Sequence, residues 1–409
     1  MEVYVARQPI FDRHKNVIGY ELFYRTGQVD RFDMINYDSA SASVIMNSFI
    51  TIGIEKLTNN KCAYIKFTDT LLNYDIATLF DKNRIVIEII EDFVTNTDLL
   101  KKCKELKNTG YKIVLDDYLL MKTDLPENVI EYIDIVKVDF LRNSLIDRED
   151  IAKEMKSIGK ELLAERVETQ EEFNEAVNMG YDYFQGYFFC KPQITTEKDI
   201  PMFKLNSLHV INELNKTEPE YDRIAEIINK DISLTYKLLR LINSAAFHLN
   251  EQISDIKHAL VLLGFNEIRK FIYLVLLYDM CKDKPDELIR LSLMRAKFGE
   301  MIFRNHKDIK ENEVFLMEMF SLIDAVLDKP LDQALSLLPL SDKAKKALLG
   351  EKNNYYYIHS LIVSYEKNRW EDFYNYLYIL KIDGGNIFNY YQASIEWVND
   401  IFSSWENYY

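Results

Sequence analysis

Acidic side chains stand at the end of a short apolar run near the middle of the first half of the chain. Ile113, Val114 and Leu115 form the run, which ends at Asp116 and Asp117. A continuous apolar run of this length is typical of a strand that is buried on both faces. Two adjacent carboxylates repel each other and are costly to bury without a cation. The alternative is that the pair belongs to a solvated turn.

Charged side chains also interrupt other apolar runs. Glu88 lies within Ile-Val-Ile-Glu-Ile-Ile, and Lys137 lies within Ile-Val-Lys-Val. Such groups must be paired with each other or with a metal ion. Carboxylate ligands favour magnesium, manganese or calcium, and two such ions could activate water against a phosphodiester. The candidate residues at strand ends are Glu21, Arg25, Lys66, Glu88, Glu91, Asp116, Asp117, Lys137, Asp139, Glu165, Glu168 and Gln185.

A barrel would bring these strand ends together. Within residues 1–200, short β-rich runs alternate with helical stretches such as Thr97–Asn108 and Gln170–Met179. A short loop predicts a hairpin for the first two strands, and the alternation predicts a parallel sheet for the others. We therefore expect a TIM-like (β/α)8 barrel with one antiparallel strand and its chemistry at the C-terminal strand ends. The predicted strands are Val3–Ile10, Val17–Tyr24, Cys62–Phe67, Arg84–Ile89, Lys112–Asp116, Ile133–Val138, Glu161–Glu165 and Tyr183–Phe189.

Residues 201–409 are predicted to form a second, all-helical domain. Breaks fall at proline and glycine, and none of the six histidines is followed by aspartate or spaced as a metal ligand. A second hydrolytic centre is therefore not expected, and His248 and His258 are interpreted as capping or surface residues. The predicted helices are Asp222–Asn229, Leu234–Asn243, Ile253–Leu263, Asn266–Met280, Glu287–Phe303 and Glu313–Leu327.

Composition narrows the partners and the compartment. The 409 residues suggest two domains, and a net charge of -15 without a long basic run argues against binding a nucleic-acid polymer. The four cysteines are widely separated, as in a protein with reduced thiols. There is no signal-peptide pattern and no apolar stretch long enough for a membrane span. A soluble cytoplasmic protein is expected.

Five segments, in order over residues 1–195, resemble the signature motifs of EAL domains, the cyclic di-GMP phosphodiesterases. The opening Ala6–Asp12 and the helical half, with Leu238–Ser244 and Ile253 to Gly264, resemble one subgroup, the EAL–HDOD proteins. In that subgroup the helical HDOD domain is a relative of HD-type phosphohydrolases that has lost the metal-binding dyad. The five segments are Gly19–Arg25, Leu115–Tyr118, Val136–Asp139, Ala164–Glu168 and Phe184–Pro192.

The resemblance implies roles for individual residues. It places metal ligands at Glu21, Glu88, Asp116 and Asp117, with Glu165 near the metals. Lys137 matches a lysine that helps to hold the attacking water, and Arg25 matches a contact to the dinucleotide. Gln185 matches a residue just outside the metal ligands, and Glu168 matches a glutamate that supports the loop after the fifth strand.

Three departures from the family pattern predict that two-metal hydrolysis is severely impaired or absent. Lys66 stands where the family has a metal-binding asparagine, and an ammonium repels a cation instead of coordinating it. The loop that begins at Asp116 lacks the family's two glycines, and Arg166 replaces another. We expect Lys66 to take the metal position in a salt-bridge cluster. The alternative is that Lys66 turns outward and a metal still binds.

The resulting hypothesis is a bacterial signalling protein without catalysis, which binds an unidentified signalling protein through its HDOD domain. No cofactor is expected, but Mg2+ or Mn2+ would be required if the site is competent. The alternatives are an active phosphodiesterase that hydrolyses cyclic di-GMP to linear pGpG, and a cyclic di-GMP receptor without hydrolysis. A homodimer is left open, because the family's pairing route near strand five is altered here.

Overall fold

The structure is a computed structural model that divides into two compact units. One unit comprises Met1–Phe189 with Glu366–Asn368, and the other comprises Cys190–Tyr365 with Arg369–Tyr409. The predicted domain boundary at residue 200 remains a prediction. The described residues are 3–26, 53–73, 75–90, 97–116, 118, 130–192, 225, 228–229, 232–243, 253, 255–281, 283–304, 306 and 309–406.

The first unit contains a closed barrel in which eight strands pair in chain order. The first strand is antiparallel to both of its neighbours, and the other pairs are parallel. The predicted barrel with one antiparallel strand is therefore confirmed. The strands are β1 Val3–Asp12, β2 Val17–Thr26, β3 Cys62–Lys66, β4 Ile85–Ile90, β5 Lys112–Asp116, β6 Ile135–Asp139, β7 Glu161–Glu165 and β8 Tyr183–Gln185.

The last strand is shorter than the predicted Tyr183–Phe189, and that prediction is wrong beyond Gln185. Gly186 has a φ of +148°, and a Cβ on it would lie 2.1 Å from the backbone oxygen of Val167. The chain turns at this glycine, and Phe188–Cys190 forms a 3-10 helix. The pattern of aromatic residues that predicted a longer strand carries no sign of this close approach to Val167.

The helices of this unit include well-capped crossover connections. Ser144 and Thr169 each form a reciprocal capping box at the start of a helix, and Gly180 ends the second of these helices with a φ of +93°. These caps fix where β6 and β8 meet their neighbouring helices. The helices are α1 Ile54–Leu57, α2 Asp69–Asn73, α3 Thr97–Thr109, α4 Leu145–Ser157 and α5 Gln170–Met179.

The second unit is helical, as predicted. Gly264, with a φ of +75°, breaks the segment Ile256–Met280 at the predicted place, whereas the predicted helix Glu313–Leu327 is two helices. Most of the predicted helix Asp222–Asn229 lies outside the described residues. The helices are α6 Ile232–Ile242, α7 Ile256–Met280, α8 Asp286–Ile302, α9 Glu311–Met319, α10 Ile323–Leu327, α11 Leu331–Ser336, α12 Asp342–Leu348, α13 Asn354–Glu366, α14 Trp370–Leu380 and α15 Ile387–Glu406.

Aromatic residues of the C-terminal helices form part of the core of the helical unit. The ring of Tyr365 lies 4.8 Å from that of Tyr391, 5.2 Å from Phe373 and 5.3 Å from both Trp370 and Phe298, between ring centroids. All five side chains are buried. Within the described ranges, no helix is both long and apolar enough to cross a membrane.

Candidate functional site

Strand alternation places the charged residues in one layer inside the barrel. Tyr64, Val86, Val114, Ile135 and Leu163 form a buried apolar cluster, one from each of five successive strands. Side chains two residues apart in a strand point to the same face. The residue two positions further along each of these strands therefore also points inward, nearer the C-terminal strand ends. Those residues are Lys66, Glu88, Asp116, Lys137 and Glu165.

Lys137 lies at the centre of this layer. Its Nζ is 2.8 Å from Glu21 Oε2, 3.5 Å from Asp116 Oδ1 and 3.6 Å from Glu88 Oε1, and its side chain is 1% exposed. Burial alone would favour the neutral amine, but the carboxylates of Asp116, Glu21 and Glu88 outweigh it and raise the pKa of Lys137 well above its usual value. Lys137 therefore remains a cation that neutralises part of a buried acidic cluster.

Lys66 lies against the other side of Asp116. Its Nζ is 2.6 Å from Asp116 Oδ2, and its side chain is 39% exposed. Burial opposes its charge, yet Asp116 raises the pKa of Lys66 above the ordinary value. Each oxygen of Asp116 thus faces an ammonium group, Oδ1 that of Lys137 and Oδ2 that of Lys66.

Two carboxyl groups of the layer hold protons more tightly than usual. Burial and the charge of Glu21 raise the pKa of Glu88 well above its ordinary value, against the opposing effect of Lys137. Burial likewise raises the pKa of Glu165 to about 7. Among the described residues, none donates a hydrogen bond to either oxygen of Glu88, although the side chain is completely buried.

A divalent cation fits the donor chemistry of this layer but not its charge arrangement. Glu21, Glu88 and Asp116 are hard oxygen donors of the kind that magnesium and manganese prefer. However, Lys137 lies among these three carboxylates and Lys66 occupies the remaining oxygen of Asp116. In the part of the chain that the structure describes, which leaves out Asp117, no group of three or more acidic, histidine or cysteine side chains is arranged to hold a metal ion.

Gln185 ties the first and last strands to the charged layer. Its Nε2 donates to Glu21 Oε2 at 2.6 Å and to Gln8 Oε1 at 3.0 Å. Sequence reasoning did not select Gln8. The signal was available, because Gln8 lies two residues from the buried Ile10 in β1 and pairs with Glu21 in the hairpin register.

Arg166 supports the edge of the site from a left-handed backbone position. Its φ is +59°, a conformation that suits glycine and explains why a family glycine is expected there. Its Nη1 lies 3.2 Å from Asp139 Oδ2, and its Nε lies 3.8 Å from Glu165 Oε1. Asp139 Oδ1 accepts from the backbone amide of Leu141 at 2.8 Å. Arg166 therefore links β7 to the turn that follows β6.

Several predicted site residues are not part of this described cluster. Asp117, Glu91 and the residues from Leu119 to Met121 lie outside the described residues, as does the side chain of Arg25. Glu168 is described next to the start of α5, where its backbone amide donates to Glu172 Oε2 at 2.7 Å. The roles that family resemblance suggests for these residues remain predictions.

In the helical unit, His359 contacts a buried carboxylate. His359 Nδ1 lies 3.1 Å from an oxygen of the completely buried Glu318. By contrast, the backbone amide of His258 is capped by Asp255 Oδ1 at 2.8 Å at the start of α7. The side chain of Asn243 bonds both backbone groups of Ile253 at 2.8 Å and so links the end of α6 to the chain just before α7.

Comparisons with known proteins agree with this architecture. The EAL domain model matches residues 33–192 and the HDOD domain model matches residues 200–325. The chain is 38% identical over 377 residues to the uncharacterised protein YuxH of Bacillus subtilis, which covers 91% of this chain and 92% of YuxH. It is 32% identical over 373 residues to the cyclic di-GMP phosphodiesterase CdgJ of Vibrio cholerae, which covers 90% of this chain and 86% of CdgJ.

Among solved structures, the Bacillus subtilis YkuI protein, which has an EAL domain and is in complex with cyclic di-GMP and calcium, is similar at 19% identity. The match covers 64% of this chain and 72% of that chain, with a TM-score of 0.39. This similarity is too distant to bear on the site. The barrel and the helical unit define a two-domain class of protein in which an EAL domain precedes an HDOD domain. The chain belongs to this EAL–HDOD family.

Proposed function

We propose that this chain is a cytoplasmic EAL–HDOD signalling protein of the cyclic di-GMP network whose barrel does not hydrolyse the dinucleotide. The observation that carries the proposal is the placement of both oxygens of Asp116 against ammonium groups, at 2.6 Å from Lys66 and 3.5 Å from Lys137. In this proposal the two lysines neutralise the carboxylates that would otherwise hold metal ions, so that Lys66 performs the charge-balancing role expected of it.

The physical argument concerns what a metal supplies and an ammonium does not. A divalent ion polarises the phosphoryl oxygen and lowers the pKa of a bound water molecule. An ammonium group satisfies the carboxylates through charge-assisted hydrogen bonds, but it cannot bind water as a Lewis acid. A metal position that is filled by the ammonium group of Lys66 therefore supports a stable, charge-balanced pocket and not metal-activated hydrolysis.

The helical unit is proposed to bind a signalling protein, and the domain boundary is proposed near residue 200. No histidine in this half is followed by aspartate, which supports a binding role rather than a second hydrolase. The barrel would then either serve as a scaffold or sense cyclic di-GMP and transmit its binding to the helical domain.

A second candidate is an active cyclic di-GMP phosphodiesterase that yields linear pGpG. It is favoured by the name of the relative CdgJ, 32% identical over 90% of this chain. It is also favoured by Glu21, Glu88 and Asp116, whose carboxylates all lie within 3.6 Å of Lys137 Nζ. In that case Lys66 would have to move away from Asp116 when Mg2+ or Mn2+ binds.

A turnover assay separates the two candidates. The full chain is incubated with cyclic di-GMP and Mn2+ or Mg2+, and linear pGpG is quantified by chromatography. Glu21→Ala provides the blank, and Lys66→Asn provides the variant that restores the family's asparagine. The proposal expects wild-type turnover equal to the blank. Wild-type turnover clearly above it would establish the phosphodiesterase instead.

Calorimetric titration with cyclic di-GMP then separates the two non-catalytic forms of the proposal. Binding that is unchanged when Mg2+ is replaced by a chelator identifies a receptor. Absence of binding under both conditions identifies a scaffold. Binding that strictly requires the metal would contradict the assignment of the metal position to lysine.

A further inference from the structure

The helical unit contains a cavity that is separate from the barrel site. Its volume is about 350 Å3, and it is lined by residues of α7, α8, α9 and α15 together with Arg304 just after α8. Pockets for small molecules typically measure about 300–1,000 Å3 and combine apolar walls with a few convergent polar groups. The cavity falls within this size range, and its lining combines aromatic side chains with charged ones.

Three of the eleven side chains that line the cavity are aromatic, and six are charged. Phe271 of α7, Phe315 of α9 and Trp397 of α15 line it, and all three side chains are buried. Two lysines lie over these rings, with Lys270 Nζ 5.3 Å from the centroid of Phe315 and Lys297 Nζ 5.3 Å from that of Trp397. Trp397 is the most exposed of the three, at 9%, so its ring is the one that a planar ligand ring can contact.

Glu300 holds the two lysines in place. Its Oε1 accepts from Lys270 at 2.5 Å and its Oε2 accepts from Lys297 at 2.7 Å. Burial opposes its ionisation, but the ammonium groups of Lys297 and Lys270 lower the pKa of Glu300 below the ordinary value. The carboxylate is therefore charged at neutral pH and fixes both ammonium groups at the cavity.

The cavity has more hydrogen-bond donors than its own acceptors use. Each lysine ammonium has three donors, of which Lys297 uses one, on Glu300, and Lys270 uses two, on Glu300 and Glu267. Arg304 is exposed at the rim, and within the described ranges no carboxylate or other acceptor pairs with its guanidinium. The unused capacity therefore points to a ligand that brings acceptor oxygens.

An ion-pair network that only fastens α7 to α8 would explain Lys270 and Glu300. It does not explain why Arg304 has no partner within the described ranges, at the rim of a cavity that Trp397 helps to line. We propose that this cavity binds a small molecule that combines a planar aromatic ring with a phosphate monoester, the chemistry of a nucleoside monophosphate. The ring rests against Trp397, and the phosphate accepts hydrogen bonds from Lys297 and Arg304.

The test titrates the full chain with GMP and with AMP, and follows the heat of binding and the fluorescence of Trp397 in a variant with Trp370→Phe and Trp405→Phe. Guanosine supplies the ring without the charge, and inorganic phosphate supplies the charge without the ring. At least one of the nucleotides is expected to bind more tightly than both fragments. Arg304→Ala and Lys297→Ala are each expected to weaken this binding about tenfold or more, because each removes a charge-assisted hydrogen bond.

Lys343→Ala is the matched control, since Lys343 is an exposed lysine of α12 outside the cavity lining. It should leave nucleotide affinity unchanged. Arg304 is exposed, so its substitution should not impair folding, which unfolding without ligand verifies. The proposal is overturned if neither nucleotide binds at millimolar concentration, if inorganic phosphate binds as well as the nucleotides, or if binding survives both Arg304→Ala and Lys297→Ala. None of these outcomes depends on whether the barrel hydrolyses cyclic di-GMP.

Discussion

Replacing Lys137 by methionine tests whether this residue is the central cation of the barrel layer. Methionine keeps most of the side-chain volume and removes the ammonium group, with its charge and its hydrogen bond to Glu21. Removing one partner of a buried ion pair costs about 3–5 kcal/mol, because it leaves a buried charge uncompensated. The full value is expected here, since Lys137 is 1% exposed and lies within 3.6 Å of three carboxylates.

Two other lysines calibrate this value. Lys66→Met should cost only about 1 kcal/mol or less, because a side chain that is 39% exposed is screened by water. Lys153→Met should cost roughly 0.5 kcal/mol or less, since Lys153 is 71% exposed and its ion pairs on α4 are at 3.6–3.7 Å. For a domain of this size the Lys137→Met loss corresponds to a fall in Tm of roughly 6–20 °C.

The measurement must report on the barrel alone. All three tryptophans, Trp370, Trp397 and Trp405, lie in the helical half. Tryptophan fluorescence would therefore follow the wrong unit. Hydrogen exchange of peptides that cover β5 and β6, measured by mass spectrometry in urea and without metal, gives the local free energy of unfolding.

The pH dependence provides a second check. Lys137 has a raised pKa, so its stabilising charge is fully present at neutral pH and is lost only in strongly basic solution. In Lys137→Met the carboxylates are uncompensated at pH 8 but are neutralised as the pH falls. The deficit should therefore be smaller at pH 5 than at pH 8. A Lys137→Met loss equal to that of Lys153→Met, or the same deficit at both pH values, would refute the assignment.

Three further substitutions test other parts of the structure. Gly186→Ala should cost at least about 2 kcal/mol in a thermal unfolding assay, because its Cβ would lie 2.1 Å from a backbone oxygen. Gly180→Ala is the control, with open space around the new Cβ, and should cost about 1 kcal/mol. The pKa of Glu165 is raised to about 7, so its contribution to stability is present below about pH 4 and is lost as the pH rises through 7. Glu165→Gln should flatten this decline in the free energy of unfolding, measured by urea titration without metal. An unchanged dependence of the unfolding free energy on pH would contradict the assignment. His359→Phe should cost about 1–3 kcal/mol in unfolding of the helical unit, because it leaves buried Glu318 without its hydrogen bond at 3.1 Å, and a neutral effect would show that this pair is not stabilising.

The barrel was predictable because its signals are local. Apolar runs such as Ile113–Leu115 and the hairpin of the first two strands are readable over a few residues, and closure into a barrel follows from the number and alternation of strands. The end of β8 was not predictable in this way. The strand stops at Gln185 because the backbone of Val167, distant in sequence, lies against Gly186.

The charged layer was only partly predictable. The types of residue at the strand ends indicated an acidic cluster with cations, and Lys66 was singled out as the departure from the family pattern. Gln8 was missed because it lies on the one antiparallel strand, whose inward residues reach the layer from the opposite chain direction.

By itself, the sequence determined the residue types that meet at the barrel mouth and the strands that carry them, because alternation along a strand decides which side chains point inward. Only the tertiary structure decided that Lys137, and not Lys66, is the buried cation among Glu21, Glu88 and Asp116. The reason is geometric. Distances between side chains on different strands depend on how the closed barrel staggers those strands, and a linear pattern of residues carries no measure of that stagger.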